Sequence, residues 1–168
     1  MFKNHKNNLY NILLALSRNI FFYKNMKLPD TFETRLYLMF IHFSIMMMVS
    51  KSKGRKFSQD DYDFFFNNIE YNLRESGLGD VSVNKKMKEF NKILYDILLK
   101  INLEKTPKKF KINQKLINQY FESLKSNKIE KIKDFERYFI NFFDFCFELP
   151  LNNMLEGTIN FKYKYGCS

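Results

Sequence analysis

The sequence predicts an all-α fold, a single-domain bundle of about six helices arranged around one central apolar helix at residues 30–50. Only 5 Gly and 3 Pro interrupt the 168 residues, which favours long helices. Hydrophobic residues make up 45% of the chain, so a single domain can bury a sizeable core. The stretch from Asp30 to Val49 is apolar on nearly every helical face, which is typical of a helix surrounded by other helices.

The central helix is predicted to begin just after Pro29, because the residue before a proline is restricted to extended backbone. Asp30, with Glu33 three residues later, is an acidic variant of the capping box that starts helices. The apolar run 36–49 contains His42 and is shorter than the roughly 20 residues that a bilayer requires. We therefore interpret it as a core helix, with a membrane-spanning helix as the alternative.

Two amphipathic helices are predicted beside the central one. The first ends near residues 21–23, and its inward face follows the helical spacing of Leu9, Ile12, Leu13, Leu16 and Ile20. After a basic loop at 51–56, interpreted as a solvated turn with a phosphate contact as the alternative, Ser58 is predicted to cap the third helix. That helix should end at Gly77, where a left-handed residue would let Leu78 fold back towards Leu73.

The fourth helix is predicted to begin with Ser82 as its cap and to lie antiparallel to the third. Its apolar residues follow each other in steps of four and three: Val83, Met87, Phe90, Leu94, Ile97 and Ile101. A Lys-rich connection around Pro107 comes next.

The last part of the predicted domain, which covers residues 1–150, contains a fifth helix from Asn113 and a sixth from about Lys128. Pro150 should end the sixth helix. The remaining residues, 151–168, form a C-terminal tail for which a small helix, an edge strand and disorder are all open.

The net charge of +10 predicts an anionic partner: nucleic acid, acidic lipid headgroups or an acidic protein. A bias towards Lys, Asn, Ile, Phe and Tyr along the whole chain explains the same charge equally well. The basic residues are dispersed and accompany no nucleic-acid-binding motif, so we expect no specific nucleic-acid partner.

Signals of catalysis are weak. The segment Gly77-Leu78-Gly79-Asp80 follows a helix and lacks the Gly-Lys-Ser ending of a phosphate loop. His42 is interpreted as a core histidine, and two histidines with Cys146 and Cys167 offer few ligands to a metal. We expect two reduced thiols, no metal, no cofactor and no enzymatic activity. The first eight residues lack the features of a signal peptide, so the protein is expected to stay where it is made.

Two segments resemble the ubiquinol-cytochrome c chaperone family, in a short bacterial-type form. The residues that carry the resemblance are Pro29-Asp30-Thr31-Phe32 with Arg35, His42 in the following helix, and Asn72-Leu73-Arg74-Glu75 with Gly77, Gly79, Asp80, Ser82-Val83, Lys85 and Lys86. The likeness covers roughly residues 9–145. The family often has a glycine after the tyrosine at Tyr95, where this chain has Asp96.

The resemblance implies an assembly chaperone that binds newly made cytochrome b and promotes biogenesis of the ubiquinol-cytochrome c reductase complex. In mitochondria the family works with a small partner protein and at the ribosome. The implied location is peripheral, at the cytoplasmic face of the inner membrane in a bacterium or at the matrix side in a eukaryote. The alternative function is a basic helical module that binds nucleic acid or the ribosome without catalysis.

The second segment is predicted to be a partner-binding corner. Lys85 and Lys86 are expected in the first turn of the fourth helix, where positive charge opposes the helix dipole. A tight turn at Gly77 and Gly79 would present both lysines beside Arg74 and Asp80. Solvated lysines on a basic chain are the alternative interpretation.

The first segment is predicted to be structural. Pro29 and Asp30 start the central helix, and Arg35 and His42 lie within it. Arg35 should pair with Asp80 or Glu33, because a buried guanidinium without a partner would cost several kcal/mol.

Overall fold

The computed structural model describes residues 9–103, 110–125, 129–150 and 154–165. The described helices are α1 (Leu9–Ser17), α2 (Phe32–Ser52), α3 (Gln59–Glu75), α4 (Asp80–Lys100), α5 (Gln114–Tyr120), α6 (Glu122–Lys125), α7 (Ile129–Glu148) and α8 (Met154–Thr158). A π-helical segment, Phe21–Asn25, lies between α1 and α2. Strands β1 (Ile101–Leu103) and β2 (Phe110–Ile112) pair antiparallel. The predicted all-α bundle is confirmed, with this small hairpin as an addition.

Helix α2 is the centre of the bundle. It contacts α1, α4 and α7, and its residues from 38 to 46 are all buried. Among the described helices, α2 alone is long and apolar enough to cross a membrane, but 67% of its apolar window is buried inside the protein. Such burial against three helices is what the core interpretation predicts, because a helix apolar all round needs neighbours on all sides.

The start of α2 and the end of α1 differ from the prediction. Thr31, not Asp30, caps α2, because its Oγ1 accepts a hydrogen bond from the Thr34 N–H at 3.2 Å. Helix α1 ends at Ser17, so Ile20 lies beyond its inward face and is 68% exposed. Periodicity alone did not show that the helix would end before Ile20.

The boundaries of α3 are confirmed, whereas the start of α4 is not. Ser58 caps α3 and accepts the Asp61 N–H at 3.1 Å, and Gly77 has the left-handed φ of +94°. Helix α4 begins at Asp80 with Gly79 as its N-cap, three residues before the cap predicted at Ser82. The predicted inward residues of α4 are nevertheless buried or half-buried, because its helical register is unchanged.

The C-terminal third contains a break that the sequence pattern did not show. Helix α5 begins at Gln114, one residue after the predicted start, with Asn113 as its N-cap, but the backbone leaves helical geometry at Phe121, which separates α5 from α6. The predicted sixth helix is α7. Pro107 and Cys167 lie outside the described residues.

The tail contains the short helix α8 and then packs onto α7. The rings of Phe161 and Tyr163 lie 5.5 and 5.0 Å from the ring of Tyr138. Gly157 lies so close to Leu149 that an added Cβ would come within 2.8 Å of that side chain. The tail therefore contributes to the core next to α7.

His42 sits where α2 crosses α7. Its Nδ1 lies 2.6 Å from the Leu38 carbonyl oxygen and its Nε2 lies 2.9 Å from the Tyr138 hydroxyl. A carbonyl can only accept, so Nδ1–H donates to Leu38 and Nε2 accepts from Tyr138. Burial lowers the pKa of His42 to about 3, so the ring is neutral and both nitrogens are satisfied.

Candidate functional site

A groove of about 630 Å³ opens between α1, the first half of α2, the second half of α3 and α4. Its apolar lining comes from all four helices and from the α3–α4 turn: Leu14, Phe32, Leu36, Met39, Ile69, Leu73, Leu78 and Phe90. Most of these side chains also belong to the hydrophobic core, so the groove is an open edge of the core itself. Pockets of this size and character hold small ligands or a few side chains of a partner.

One polar pair crosses the apolar wall. The Asn72 side-chain amide donates a hydrogen bond to the Tyr10 hydroxyl, which ties α3 to α1. Burial raises the pKa of Tyr10, while the nearby guanidinium groups of Arg18 and Arg35 act in the opposite direction. Both arginines therefore lie close enough to this hydroxyl for their charge to be felt at the groove.

The charged groups that line the groove are mainly positive. They are Arg18 after α1, Arg35 on α2 and Lys86 on α4, against one carboxylate, Glu33. Arg18 is exposed and Lys86 is partly buried, so both can meet an incoming group. An apolar surface with cations at its edge suits an amphipathic ligand that carries negative charge.

The ion-pair partner of Arg35 is not the predicted one. It forms its ion pair with Asp30, five residues earlier, and not with Asp80 or Glu33. Its side chain is 27% exposed and that of Asp30 is 73% exposed, so the guanidinium is not sealed in the core. The turn after Pro29 places Asp30 just before the first turn of α2, within reach of Arg35, which explains the partner. The structural role assigned to Pro29, Asp30, Arg35 and His42 stays a prediction.

The α3–α4 corner is held together by its own residues. Arg74 donates to Glu70 at 3.0 Å and also pairs with Asp80 at the start of α4. These hydrogen bonds, first to Asp80 and then to Glu70, raise the pKa of Arg74. Gly77 supplies the left-handed residue of the turn. Arg74 and Asp80 thus pair with each other at an exposed corner, and their partner-binding role stays a prediction.

The predicted position of the two lysines is wrong. Because α4 begins at Asp80, Lys85 and Lys86 are its sixth and seventh residues and lie in the second turn. The first turn contains Asp80, whose negative charge is the one that the helix dipole favours at this end. Gly79 has an ordinary φ of −75° and open space around its Cα, so nothing in the turn requires glycine there.

Lys85 and Lys86 also face different regions. Adjacent residues on a helix point about 100° apart, so they do not share a face. Lys86 lines the groove, whereas Lys85 is exposed and is not among the groove residues. Of the six residues predicted to bind a partner, Lys86 is the one that the structure places in the groove.

Sequence reasoning missed most of the groove. Tyr10, Arg18 and Phe32 were not assigned to a site, although each lines the groove as Lys86 does. Arg18 carried one usable signal, since a basic residue follows directly after the apolar face of α1. Tyr10 carried none, because its relation to Asn72 spans 62 residues.

The described residues contain no group of three or more His, Cys, Asp or Glu side chains able to hold a metal ion. The Cys146 thiol is buried in α7, and burial raises its pKa.

The chain is thus a helical bundle whose core opens into a groove lined mainly by cations. The model of the Ubiquinol-cytochrome C chaperone family matches residues 24–161 of the 168, and the chain belongs to this family. Membership supports a chaperone role for ubiquinol-cytochrome c reductase and implies a protein without catalysis of its own. No curated protein and no solved structure matches the chain.

Proposed function

We propose that the protein is an assembly chaperone that binds cytochrome b and promotes biogenesis of the ubiquinol-cytochrome c reductase complex. The observation that carries the proposal is the cation-lined apolar groove in a member of this family. A newly made membrane protein exposes apolar segments to water until it is assembled, and covering them is favourable in proportion to the apolar area removed.

The groove is suited to a short segment of the client. Its volume of about 630 Å³ accommodates several apolar side chains and not a whole membrane protein. Met39 lines the groove together with the rings of Phe32 and Phe90, and its flexible thioether side chain can adapt to different apolar groups. Arg18, Arg35 and Lys86 would pair with carboxylates at the edge of that segment, which fixes its orientation.

Two neighbouring lysines provide a matched test. Lys86→Glu reverses a charge in the groove, whereas Lys85→Glu makes the same change on the adjacent residue outside it. We expect Lys86→Glu to recover about tenfold less cytochrome b in a pull-down from detergent-solubilised membranes, where no bilayer contact contributes, because a like charge replaces an attractive one. Lys85→Glu should recover cytochrome b as the wild type does, and both variants should keep their helical content.

Three outcomes decide between explanations. A wild-type pull-down without cytochrome b would contradict the proposed client. Equal losses in both variants would show that total charge, and not the groove, governs binding. Binding to plain RNA that falls steeply with salt and ignores cytochrome b would instead favour the nucleic-acid or ribosome-binding alternative, which the net charge of +10 alone suggests.

The same proposal includes the location and the further partners. We place the protein at the cytoplasmic face of the inner membrane, or at the matrix side in a eukaryote, as a peripheral protein. The ribosome and a small partner protein are its proposed further partners in assembly. High salt should release it from membranes. Retention after an alkaline carbonate wash would show that α2 inserts into the bilayer instead of staying in the core.

A further inference from the structure

The outward face of α4 carries an unusual row of residues. Steps of four and three residues keep a row on one side of a helix, and this row runs opposite to the buried side. Its members, all exposed, are Val81, Lys85, Lys88, Lys92, Tyr95 and Leu99, which we call the α4 outer row. Val81 is 84% exposed and Leu99 is 77% exposed, high values for aliphatic side chains.

The three lysines of the row are unpaired. Within the described part of the chain, no carboxylate forms an ion pair with Lys85, Lys88 or Lys92. The nearest acidic positions along α4 flank the row at Glu89 and Asp96. Asp96 is already engaged, because it accepts hydrogen bonds from Lys100 at 2.8 Å and from the Tyr120 hydroxyl. The row is therefore positive along its middle and apolar at its two ends.

The outward face of α7 shows that this pattern is not general. There, acidic and basic residues occur together, as at Glu130, Lys133, Asp134 and Arg137, and Arg137 pairs with Asp134 at 3.6 Å. A composition bias alone would spread lysines over both helices. The concentration of unpaired lysines on the outward face of α4 therefore indicates a binding surface.

We propose that the α4 outer row is the surface through which the protein contacts an anionic lipid bilayer. The inference rests on the peripheral location proposed above but not on client binding. From Val81 to Leu99 the row spans about 27 Å, so α4 would lie flat along the membrane surface. The lysines would meet the lipid phosphates, while Val81, Tyr95 and Leu99 would enter the boundary between headgroups and acyl chains.

The apolar ends favour a bilayer over nucleic acid. A phosphate backbone attracts lysines but offers nothing to exposed aliphatic side chains such as Val81 and Leu99, whereas a bilayer surface takes up both kinds of group. Because Lys86 points about 100° away from Lys85, the groove would then open beside the membrane surface and not against it.

The test compares lysines on the row with lysines off it. Flotation is measured with vesicles of phosphatidylcholine alone and with vesicles that contain an equal part of phosphatidylglycerol. We expect Lys85→Gln with Lys88→Gln and Lys92→Gln to weaken binding to the anionic vesicles about a hundredfold, since each lysine near such a surface contributes about fivefold.

The control triple, Lys24→Gln with Lys56→Gln and Lys164→Gln, removes the same charge from exposed lysines off the row. It should bind anionic vesicles within a few-fold of the wild type. Equal losses in the two triples would overturn the proposal, because net charge would then explain binding.

A second variant separates a bilayer from nucleic acid. Val81→Ser with Leu99→Ser should weaken binding to anionic vesicles and leave binding to plain RNA unchanged. Unchanged vesicle binding in both the lysine row variant and this double variant would overturn the proposal. So would wild-type protein that fails to float with anionic vesicles, even if it still recovers cytochrome b. Circular dichroism checks that every variant keeps its helices, and all substituted positions are exposed.

Discussion

The two halves of α2 lie in opposite surroundings. From Phe32 to Met39 the helix borders the groove and carries Arg35 at its edge. Around His42 the same helix is enclosed, because the rings of Phe22, Phe139 and Phe142 lie 4.8 to 6.0 Å from the imidazole. One continuous helix thus supplies both an enclosed part of the core and part of the groove lining.

The difference separates stability from binding. Enclosed aromatic side chains make many close contacts, so removing one leaves a cavity and costs free energy of unfolding. Side chains at an open edge lose less when truncated, because water and neighbouring groups can fill the space. We therefore expect variants of the enclosed half to unfold more easily and variants of the groove half to bind less well.

The largest effect is expected for Phe139→Ala. Phe139 is fully buried, and its ring lies 5.0 Å from His42 and 4.9 Å from Tyr138. The change should lower the free energy of unfolding by about 3–5 kcal/mol, measured by urea denaturation. Tyr71→Ala, at a residue 63% exposed, is the control and should change it by at most about 0.5 kcal/mol. Similar losses of free energy of unfolding in Phe139→Ala and Tyr71→Ala would contradict the expected difference between enclosed and exposed residues.

The next effect is a pH dependence that comes from His42. Burial lowers its pKa in the folded protein from 6.5 to about 3. Above pH 6.5 the imidazole is neutral in both the folded and the unfolded state. Below pH 6.5 the unfolded chain binds a proton at His42, whereas the folded protein does not. Stability is therefore full above pH 6.5 and falls as the pH drops towards 3, by up to about 1.4 kcal/mol per pH unit.

Comparison with His42→Gln isolates this contribution. Between about pH 7 and about pH 5, the wild type should lose about 2 kcal/mol more of its free energy of unfolding than the variant does. Parallel pH profiles would mean that the ring is protonated in the folded protein. If the variant does not fold, an NMR titration of the wild type tests the same prediction, because the His42 ring should stay neutral at about pH 5.

A smaller effect of opposite sign is expected for Ser44→Ala. In the described structure the buried Ser44 hydroxyl has no hydrogen-bond partner, so its removal should raise the free energy of unfolding by up to about 1 kcal/mol. Ser17 is equally buried but donates to the Leu14 carbonyl at 2.7 Å, so Ser17→Ala is the matched control and should not stabilise. Thermal melts that rank the two variants the other way would contradict the assignment.

The smallest effect on stability is expected for Arg35→Met. Its ion pair with Asp30 is partly exposed, and such pairs contribute about 0–1 kcal/mol. The melting temperature should change little, while recovery of cytochrome b should fall, because a cation of the groove is lost. Asp30→Asn breaks the same pair but keeps the guanidinium, so it should retain client binding. A large loss of stability in both variants would instead support the prediction that the pair of Arg35 and Asp30 is structural.

The sequence by itself determined the features that depend on neighbours along the chain. The cap at Ser58 and the left-handed turn at Gly77 are local hydrogen-bonding and backbone requirements, so the residues themselves predict them. The burial of α2 followed from its apolar character on all faces. The family was also recognisable, because its motifs are short and contiguous.

Only the tertiary structure decided the site. The groove joins residues from four helices, and its contact between Tyr10 and Asn72, like that between His42 and Tyr138, links positions far apart in the chain. A shift of three residues in the start of α4 moved the lysines out of its first turn. At about 100° per residue, helix geometry then placed Lys86 in the groove and Lys85 on the outer row. Which face of α4 meets the groove is decided by how α1, α2 and α3 pack around it, and local sequence does not encode that packing.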